Sequence, residues 1–344
     1  MDLQAERRIP MKKYNIAVLG ATGAVGQEML NILAEYDIPV NKLLPLASAR
    51  SAGGTVKFKG EDVVIAEARD DAFEGMDFVL GAVEKDQSRQ FAPAIVKSGA
   101  VYIDNSSAFR MDPNVPLVVP EINGEDARAN HGIIANPNCS TIITAVAVGG
   151  IAKLSPIKTM VACTYQAVSG AGLNGLLELE SQMKALANGQ ELVRKVFPHQ
   201  IALNVIPFIG SLTDNDYTDE EMKLQNEGRK ILHLPEMKVT CSCVRVPVMR
   251  SHSIAVTVRT ERKISVAEAR EAIRSFPGCR LIDDYQGRSY PTPLDTSGQD
   301  LVWVGRVRED LTDDNGLTLW CCGDQIRKGA ASNAVQILQY LIRE

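Results

Sequence analysis

Aromatic residues make up only 5% of this 344-residue chain, histidine occurs four times, and no apolar run approaches the length of a bilayer span. A membrane helix, which needs about 20 mostly apolar residues, is therefore not expected. There is no basic cluster, and the formal charge is −5, so nucleic-acid binding is not expected either. Met1 to Pro10 lacks the apolar centre of a secretory signal. These residues read as a flexible extension, with Met11 as an alternative start. The seven cysteines are odd in number and show no disulfide-framework spacing. No histidine stands at zinc-site distance from Cys241-Ser242-Cys243 or Cys321-Cys322, so no metal is expected. Reduced thiols in a cytoplasmic protein are the expectation. What remains is a composition of 45% hydrophobic and 23% charged residues, that of a globular chain long enough for two domains.

The first half alternates strands and helices. Lys13 to Leu19 reads as an apolar strand, followed directly by Gly20-Ala21-Thr22-Gly23-Ala24-Val25-Gly26. Gln27 to Tyr36 then places Met29, Leu30 and Leu33 at helical spacing. Strand, glycine turn and helix form the context in which such a motif binds a dinucleotide: glycines admit the pyrophosphate and the helix N-terminus attracts it. A bare structural turn is the alternative. Further strands are predicted at Lys42–Ala47, Phe78–Ala82, Val101–Asp104 and Leu117–Val119, with a helix at Asp86–Lys97, implying a doubly wound parallel sheet. No acidic residue follows the second strand to hold a free ribose hydroxyl. Arg50, with Ser48 and Ser51, suits the 2′-phosphate of NADP instead, unless it is a solvated loop arginine.

Gly132 to Ala135 reads as a strand, Asn136-Pro137-Asn138 as a turn, and Cys139 as the first residue of an apolar helix. Unpaired N–H groups and the positive helix end favour a thiolate there, and a thiolate attacks aldehydes and acyl groups. A buried structural cysteine is the alternative. Beyond it come longer strands rich in Val, Thr and Ile, predicted at Thr159–Val168, Leu203–Ile209, Val239–Val246, Ser253–Thr260, Val302–Val307 and Leu317–Cys322. Helices at Asn174–Ala187, Thr218–Leu232 and Val266–Ser275 interrupt them, which fits a mixed sheet with helices on one face. Ala331 to Ile342 has helical spacing and is expected to pack back on the first domain. The fold class is α/β: a Rossmann-type dinucleotide-binding domain at 11–138, completed by 330–344, and an α+β catalytic and dimerisation domain with a mixed sheet at 139–329.

Of the histidines, His131, His199 and His233 read as exposed or capping residues. His252, at a strand start beside Arg250, is the candidate for proton transfer near neutrality. Arg245 lies inside an apolar strand, where a charge needs a partner. It could grip a substrate carboxylate or sit in an internal salt bridge. Gln166 and Ser169-Gly170-Ala171-Gly172 could supply donors to an oxyanion and a cofactor, or form a plain strand-to-helix turn.

Five segments together resemble the aspartate-β-semialdehyde dehydrogenase family from about Lys12 to the C-terminus: Gly20 to Gly26, Asn105-Ser-Ser-Ala-Phe-Arg110, Asn136 to Thr141, Tyr165 to Gly172, and Arg245 to His252. The resemblance implies a glyceraldehyde-phosphate-dehydrogenase-like C-terminal domain and a homodimer or dimer of dimers. It implies NADP-dependent, reversible conversion of L-aspartyl 4-phosphate to L-aspartate 4-semialdehyde and inorganic phosphate, in lysine/diaminopimelate, threonine, methionine and isoleucine biosynthesis. It makes Cys139 the nucleophile, His252 the acid/base, Arg245, Gln166 and Glu220 substrate contacts, and Arg110 and Lys223 phosphate contacts. Thr22, Gly23, Ala24, Val25, Arg50, Ser51, Ser169, Gly170 and Asn333 become cofactor contacts. Gln325 stands where the family pattern has Asn, and neither it nor Cys163 receives a role. N-acetyl-glutamyl-phosphate reductase is the alternative enzyme, but its Gly-Cys-Tyr-Pro context is absent. A glyceraldehyde-phosphate dehydrogenase would carry a second cysteine where Ile143 stands. A non-catalytic nucleotide sensor would be expected to lack Cys139 or His252.

Overall fold

The computed structural model describes residues 12–343; the expectations for residues 1–11 lie outside them. The first sheet contains β1 (Tyr14–Leu19), β2 (Val40–Ala47), β5 (Ala66–Glu67), β6 (Phe78–Gly81), β7 (Val101–Asp104) and β8 (Ile133–Ala135), with a small hairpin of β3 (Thr55–Phe58) and β4 (Glu61–Val64) between β2 and β5. All its neighbouring strands run parallel, in the order β5-β2-β1-β6-β7-β8. In chain order that is 3-2-1-4-5-6, the Rossmann arrangement. Helices α1 (Ala24–Glu35) and α2 (Lys85–Lys97) follow β1 and β6. The predicted strand Leu117–Val119 is instead a single bridge from Leu117 to Ala135. Pro116 and Pro120 bracket it and remove the N–H donors a longer ladder needs, and the short helix α3 (Pro120–Asn123) follows at once.

The second sheet contains β9 (Ile157–Gln166), β10 (Lys238–Arg245), β11 (His252–Thr260), β12 (Cys279–Leu281), β13 (Val302–Glu309) and β14 (Gly316–Gly323), in the order β10-β9-β11-β14-β13-β12. Its outer pairs, β10 with β9 and β12 with β13, are parallel and its inner pairs antiparallel. The predicted strand at Leu203–Ile209 is not formed. Leu203 has a φ of +59° and Pro207 interrupts the run, so only Ile206 pairs, with Arg245.

One face of this sheet packs on α4 (Cys139–Leu154), with Leu224 and Ile231 of α6 (Asp219–Ile231) and Ala269 and Ile273 of α7 (Val266–Ser275). Ile142 through Ile151 of α4 are buried without a break, as expected of a helix apolar on all sides. On the other face, Val161 and Tyr165 of β9 are exposed, and so are Leu173 and Leu177 of α5 (Gly172–Ala187). After the short α8 (Pro293–Thr296), α9 (Ser332–Ile342) returns to the first sheet, where Val335 and Leu338 pack among Ile16, Val18 and Met29. Among the described residues, no helix is long and apolar enough to cross a membrane.

Candidate functional site

Two helix N-termini face the seam between the sheets. At the first, Gly20 turns the chain with a φ of +88°, and a Cβ there would stand 2.4 Å from Ala82 O. A Cβ at Gly26 would stand 2.2 Å from Gly20 O, so helix and strand pack too closely for any side chain. Gly23 is the N-cap of α1 and offers no capping group. A Cβ there would meet nothing nearer than 3.5 Å, and Thr22 through Ala24 are exposed. The uncapped N–H groups therefore form an open cradle that fits a pyrophosphate. Arg50 and Ser51 lie at the end of β2, on the same sheet edge, Arg50 exposed and Ser51 half-buried.

At the second, the N-terminus of α4 is closed. Asn138 Oδ1 accepts from Ser140 N–H at 2.9 Å and Thr141 N–H at 3.3 Å, a cap worth about 1 kcal/mol. Cys139 Sγ lies 3.4 Å from His252 Nε2. Gly329 lies directly against the cysteine, since a Cβ there would come within 2.8 Å of Cys139 Cβ. Burial pushes the thiol up to about 12, with Glu220 adding to the rise and Arg245, Arg110 and Ser140 N–H opposing it. The helix-end effect expected from the sequence is thus outweighed by desolvation, and the thiol is neutral. Burial, with Arg245 adding to it, likewise carries His252 down to about 3. Ala167 N–H donates to His252 Nδ1 at 3.0 Å, which places the neutral ring's proton on Nε2, facing the sulfur. A second ring proton would face that amide, so proton exchange at His252 requires the Ala167 contact to yield.

Arg245 is 7% exposed. Its Nη1 donates to Ala167 O at 2.7 Å, and among the described residues no carboxylate lies within 4 Å of its guanidinium. The internal salt bridge is therefore not formed, and a buried cation is left available to an anionic ligand. Burial lowers its pKa, against Cys139 and Glu220. Gln166 accepts from Thr164 at 3.0 Å and donates to Glu220 Oε1 at 3.1 Å. Burial alone would raise the Glu220 carboxyl, but Lys223, Asn138 and Gln166 carry it down to about 2. Lys223 lies 2.9 Å from Glu220 and 3.2 Å from Asp219. Arg110 donates to Asn136 O, Asn105 O and Glu227.

A cleft of about 410 Å³ is lined by Val25, Arg110, Cys139, Ser169, Gly170 and Lys223 among others. Arg245 instead lines a separate cavity of about 710 Å³ with Phe197, Ile206 and Phe208, and Gln166, Glu220 and His252 line neither. Gln325 also lines the cleft, bonded to Ser169 Oγ and to Ser251 N–H. Sequence reasoning left Gln325 without a role. Glu227 escaped it too, although Glu220, Lys223 and Glu227 share the spacing of one helix face. Asn333 is not brought to the cleft. It is fully buried, donating to Val118 O and Asn136 and accepting from Lys328, so its amide is consumed in joining α9 to the cysteine turn. Cys163 alternates with Thr164 and Gln166 along β9 and so lies on the opposite sheet face.

Residues 15–130 match the family model for the semialdehyde dehydrogenase NAD binding domain, and residues 148–328 the model for the semialdehyde dehydrogenase dimerisation domain. The fold and the seam between its sheets thus place the chain among the semialdehyde dehydrogenases, oxidoreductases with a nicotinamide-dinucleotide domain. The aspartate-semialdehyde dehydrogenase of Synechocystis sp. is 48% identical over 327 residues, covering 95% of this chain and 97% of that protein. That of Aquifex aeolicus is 46% identical over 335 residues, covering 96% and 98%. The crystal structure of aspartate semialdehyde dehydrogenase II from Vibrio cholerae superposes with a TM-score of 0.94 at 42% identity, covering 97% of this chain and 99% of that one. The chain belongs to the aspartate-semialdehyde dehydrogenase family.

Proposed function

We propose that this enzyme reduces L-aspartyl 4-phosphate to L-aspartate 4-semialdehyde with NADPH, reversibly, through an acyl-thioester on Cys139. The observation that carries this reading is the Cys139–His252 pair at 3.4 Å, its cysteine in a cleft shared by Arg110, Lys223 and the open end of α1. Cys139 sulfur attacks the acyl carbon as the carbon–oxygen bond to phosphate breaks, the thiol proton passes to the departing phosphate, and Arg110 and Lys223 receive the resulting hydrogen phosphate. Arg245 grips the α-carboxylate, Glu220 the α-ammonium, and Gln166 orients the acyl group. The bound cofactor supplies the hydride. Collapse of the thiohemiacetal oxyanion forms the aldehyde carbonyl and breaks the carbon–sulfur bond, while His252 Nε2–H, facing the sulfur, stabilises the departing thiolate and as the acid returns a proton to it.

Thr22, Gly23, Ala24, Val25, Ser169 and Gly170 are read as cofactor contacts, and Arg50 and Ser51 as the pair that selects NADP. The crystallised Vibrio cholerae relative complexed with ASA is 41% identical, which supports the same small substrate here. The chain is read as two domains, 11–138 with 330–344 and 139–329. The exposed apolar face bearing Val161, Tyr165 and Leu177 supports a homodimer, and the seven unpaired cysteines a reduced, cytoplasmic enzyme of amino-acid biosynthesis.

Purified enzyme is expected to turn over aspartate semialdehyde with phosphate and NADP, and to reject N-acetyl-glutamyl phosphate and its aldehyde. Arg50→Ala should erode the preference for NADP by about tenfold or more, the worth of a charged hydrogen bond. Equal use of NAD and NADP by the unmodified enzyme would refute the cofactor assignment.

A further inference from the structure

α6 turns three charged residues toward the start of α4: Glu220, Lys223 and Glu227. The first two have parts in the proposed reaction, and Glu227 has none, yet it is only 2% exposed. Its two oxygens go to different partners. Oε1 accepts from Arg110 Nη1 at 3.2 Å, and Oε2 accepts from the backbone N–H of Asn138 at 2.7 Å. A carboxylate taken this far from water persists only where charge and hydrogen bonds replace its hydration, and both replacements here come from the site itself.

Asn138 directly precedes Cys139 and is held at three points. Glu227 takes its backbone N–H, Glu220 accepts from its Nδ2 at 3.1 Å, and its Oδ1 caps α4. Arg110 closes the ring on the other side, with Nε on Asn136 O at 2.9 Å and Nη2 on Asn105 O at 2.7 Å. Three of its N–H groups are engaged in this way, and the remainder of the guanidinium's five are left for an anion. Arg110 lies at the cleft wall together with Asn138 and Cys139.

We propose that Glu227 is a positioning residue, a single carboxylate that fixes the phosphate-binding arginine and the cysteine turn in one register. This rests on reading Cys139 as the nucleophile and Arg110 as a phosphate ligand. Phosphate must leave, or arrive, at the carbon the sulfur attacks, so the two groups have to be placed relative to each other and not merely each within the fold. Small misplacements of reacting groups are costly in rate, and a bridge of one side chain allows little relative movement.

Two variants test it. Glu227→Gln keeps the shape but turns an amide N–H toward one of two donors. Glu227→Asp keeps the charge but is one methylene too short to span both. In the direction from semialdehyde, phosphate and NADP, both should raise the KM for phosphate about tenfold and lower kcat about tenfold, the scale of one lost hydrogen bond to a charged group. The KM for NADP should stay within about twofold, since α1 is not involved. A purely structural residue would lower the melting temperature and the active fraction while leaving the KM for phosphate unchanged. That outcome, with native circular dichroism, would overturn the proposal. Failure of both variants to fold would overturn it too, making Glu227 a requirement of the fold. If Arg110→Ala raises the KM for phosphate and the Glu227 variants do not, the bridge alone is wrong. If the unmodified enzyme shows no phosphate-dependent turnover, it is the reading of the site that fails.

Discussion

β1 with α1 and β8 with α4 are strand–turn–helix units on the same parallel sheet, and they use their helix N-termini in opposite ways. The glycine turn before α1 supplies no cap, keeps Thr22 to Ala24 exposed, and leaves backbone N–H groups facing open space. The asparagine turn before α4 caps its own helix and is clasped by Glu220 and Glu227. An open end binds whatever anion arrives, because its donors are unsatisfied. The closed end uses the Ser140 and Thr141 N–H groups in its own cap and holds one side chain, Cys139, at its start. The same local geometry is thus left open in one unit and closed in the other, and the difference lies in the cap residue, Gly23 or Asn138, and in the two carboxylates that clasp the second turn.

The largest expected effect breaks the closed unit at its reactive atom. Cys139→Ser should fold and bind NADP normally yet lose turnover on the order of 10⁴-fold or more, as nucleophile replacements do elsewhere; stopped-flow and fluorescence titration read the two quantities separately. Next is the substrate side of that unit. Arg245→Lys keeps the charge but loses the planar fork, and kcat/KM for the semialdehyde should drop about 10–100-fold with an unchanged cofactor Kd. A normal value would mean that Arg245 does not hold the substrate carboxylate.

Exchanging the caps sharpens the comparison further. Asn138→Ala should cost about 1 kcal/mol in denaturant unfolding along with activity. Gly23→Ser, by contrast, fits its open surroundings. It should leave stability level or raised by a few tenths of a kcal/mol while weakening cofactor binding, because its hydroxyl would occupy the cradle. Tight cofactor binding by Gly23→Ser would mean that the open end is not the pyrophosphate site.

Much of this contrast was legible in the sequence, for a physical reason. Glycine spacing, an Asn-Cys pair after an apolar strand, and helical periodicity are local signals, and both turns follow from them. The partners of Asn138 are not local. Glu220 and Glu227 meet it across more than eighty residues of chain, and charges on a helix look alike whether solvated or buried. Asn333 failed for the converse reason. Motif position cannot reveal that three protein groups already occupy its amide. The run at Leu203–Ile209 had the composition of a strand, but the left-handed backbone at Leu203 is a tertiary outcome.

A separate effect, read in stability and not in activity, depends on pH. Burial holds His252 down to about 3, below its ordinary 6.5. Between those values the unfolded chain binds a proton that the folded one does not, so stability falls as pH drops through this window. Relative to His252→Gln, the unmodified protein should therefore lose ground in urea unfolding from about pH 7 toward about pH 4. Parallel curves would show the ring to be solvated.

The most direct test of the central claim looks for the covalent state itself. Unmodified enzyme mixed with aspartyl phosphate, with NADPH withheld, should release inorganic phosphate in one burst and carry an aspartyl adduct that peptide mass spectrometry assigns to Cys139. Full phosphate release without an adduct, or an adduct on Cys163, would contradict a thioester mechanism at the closed helix end.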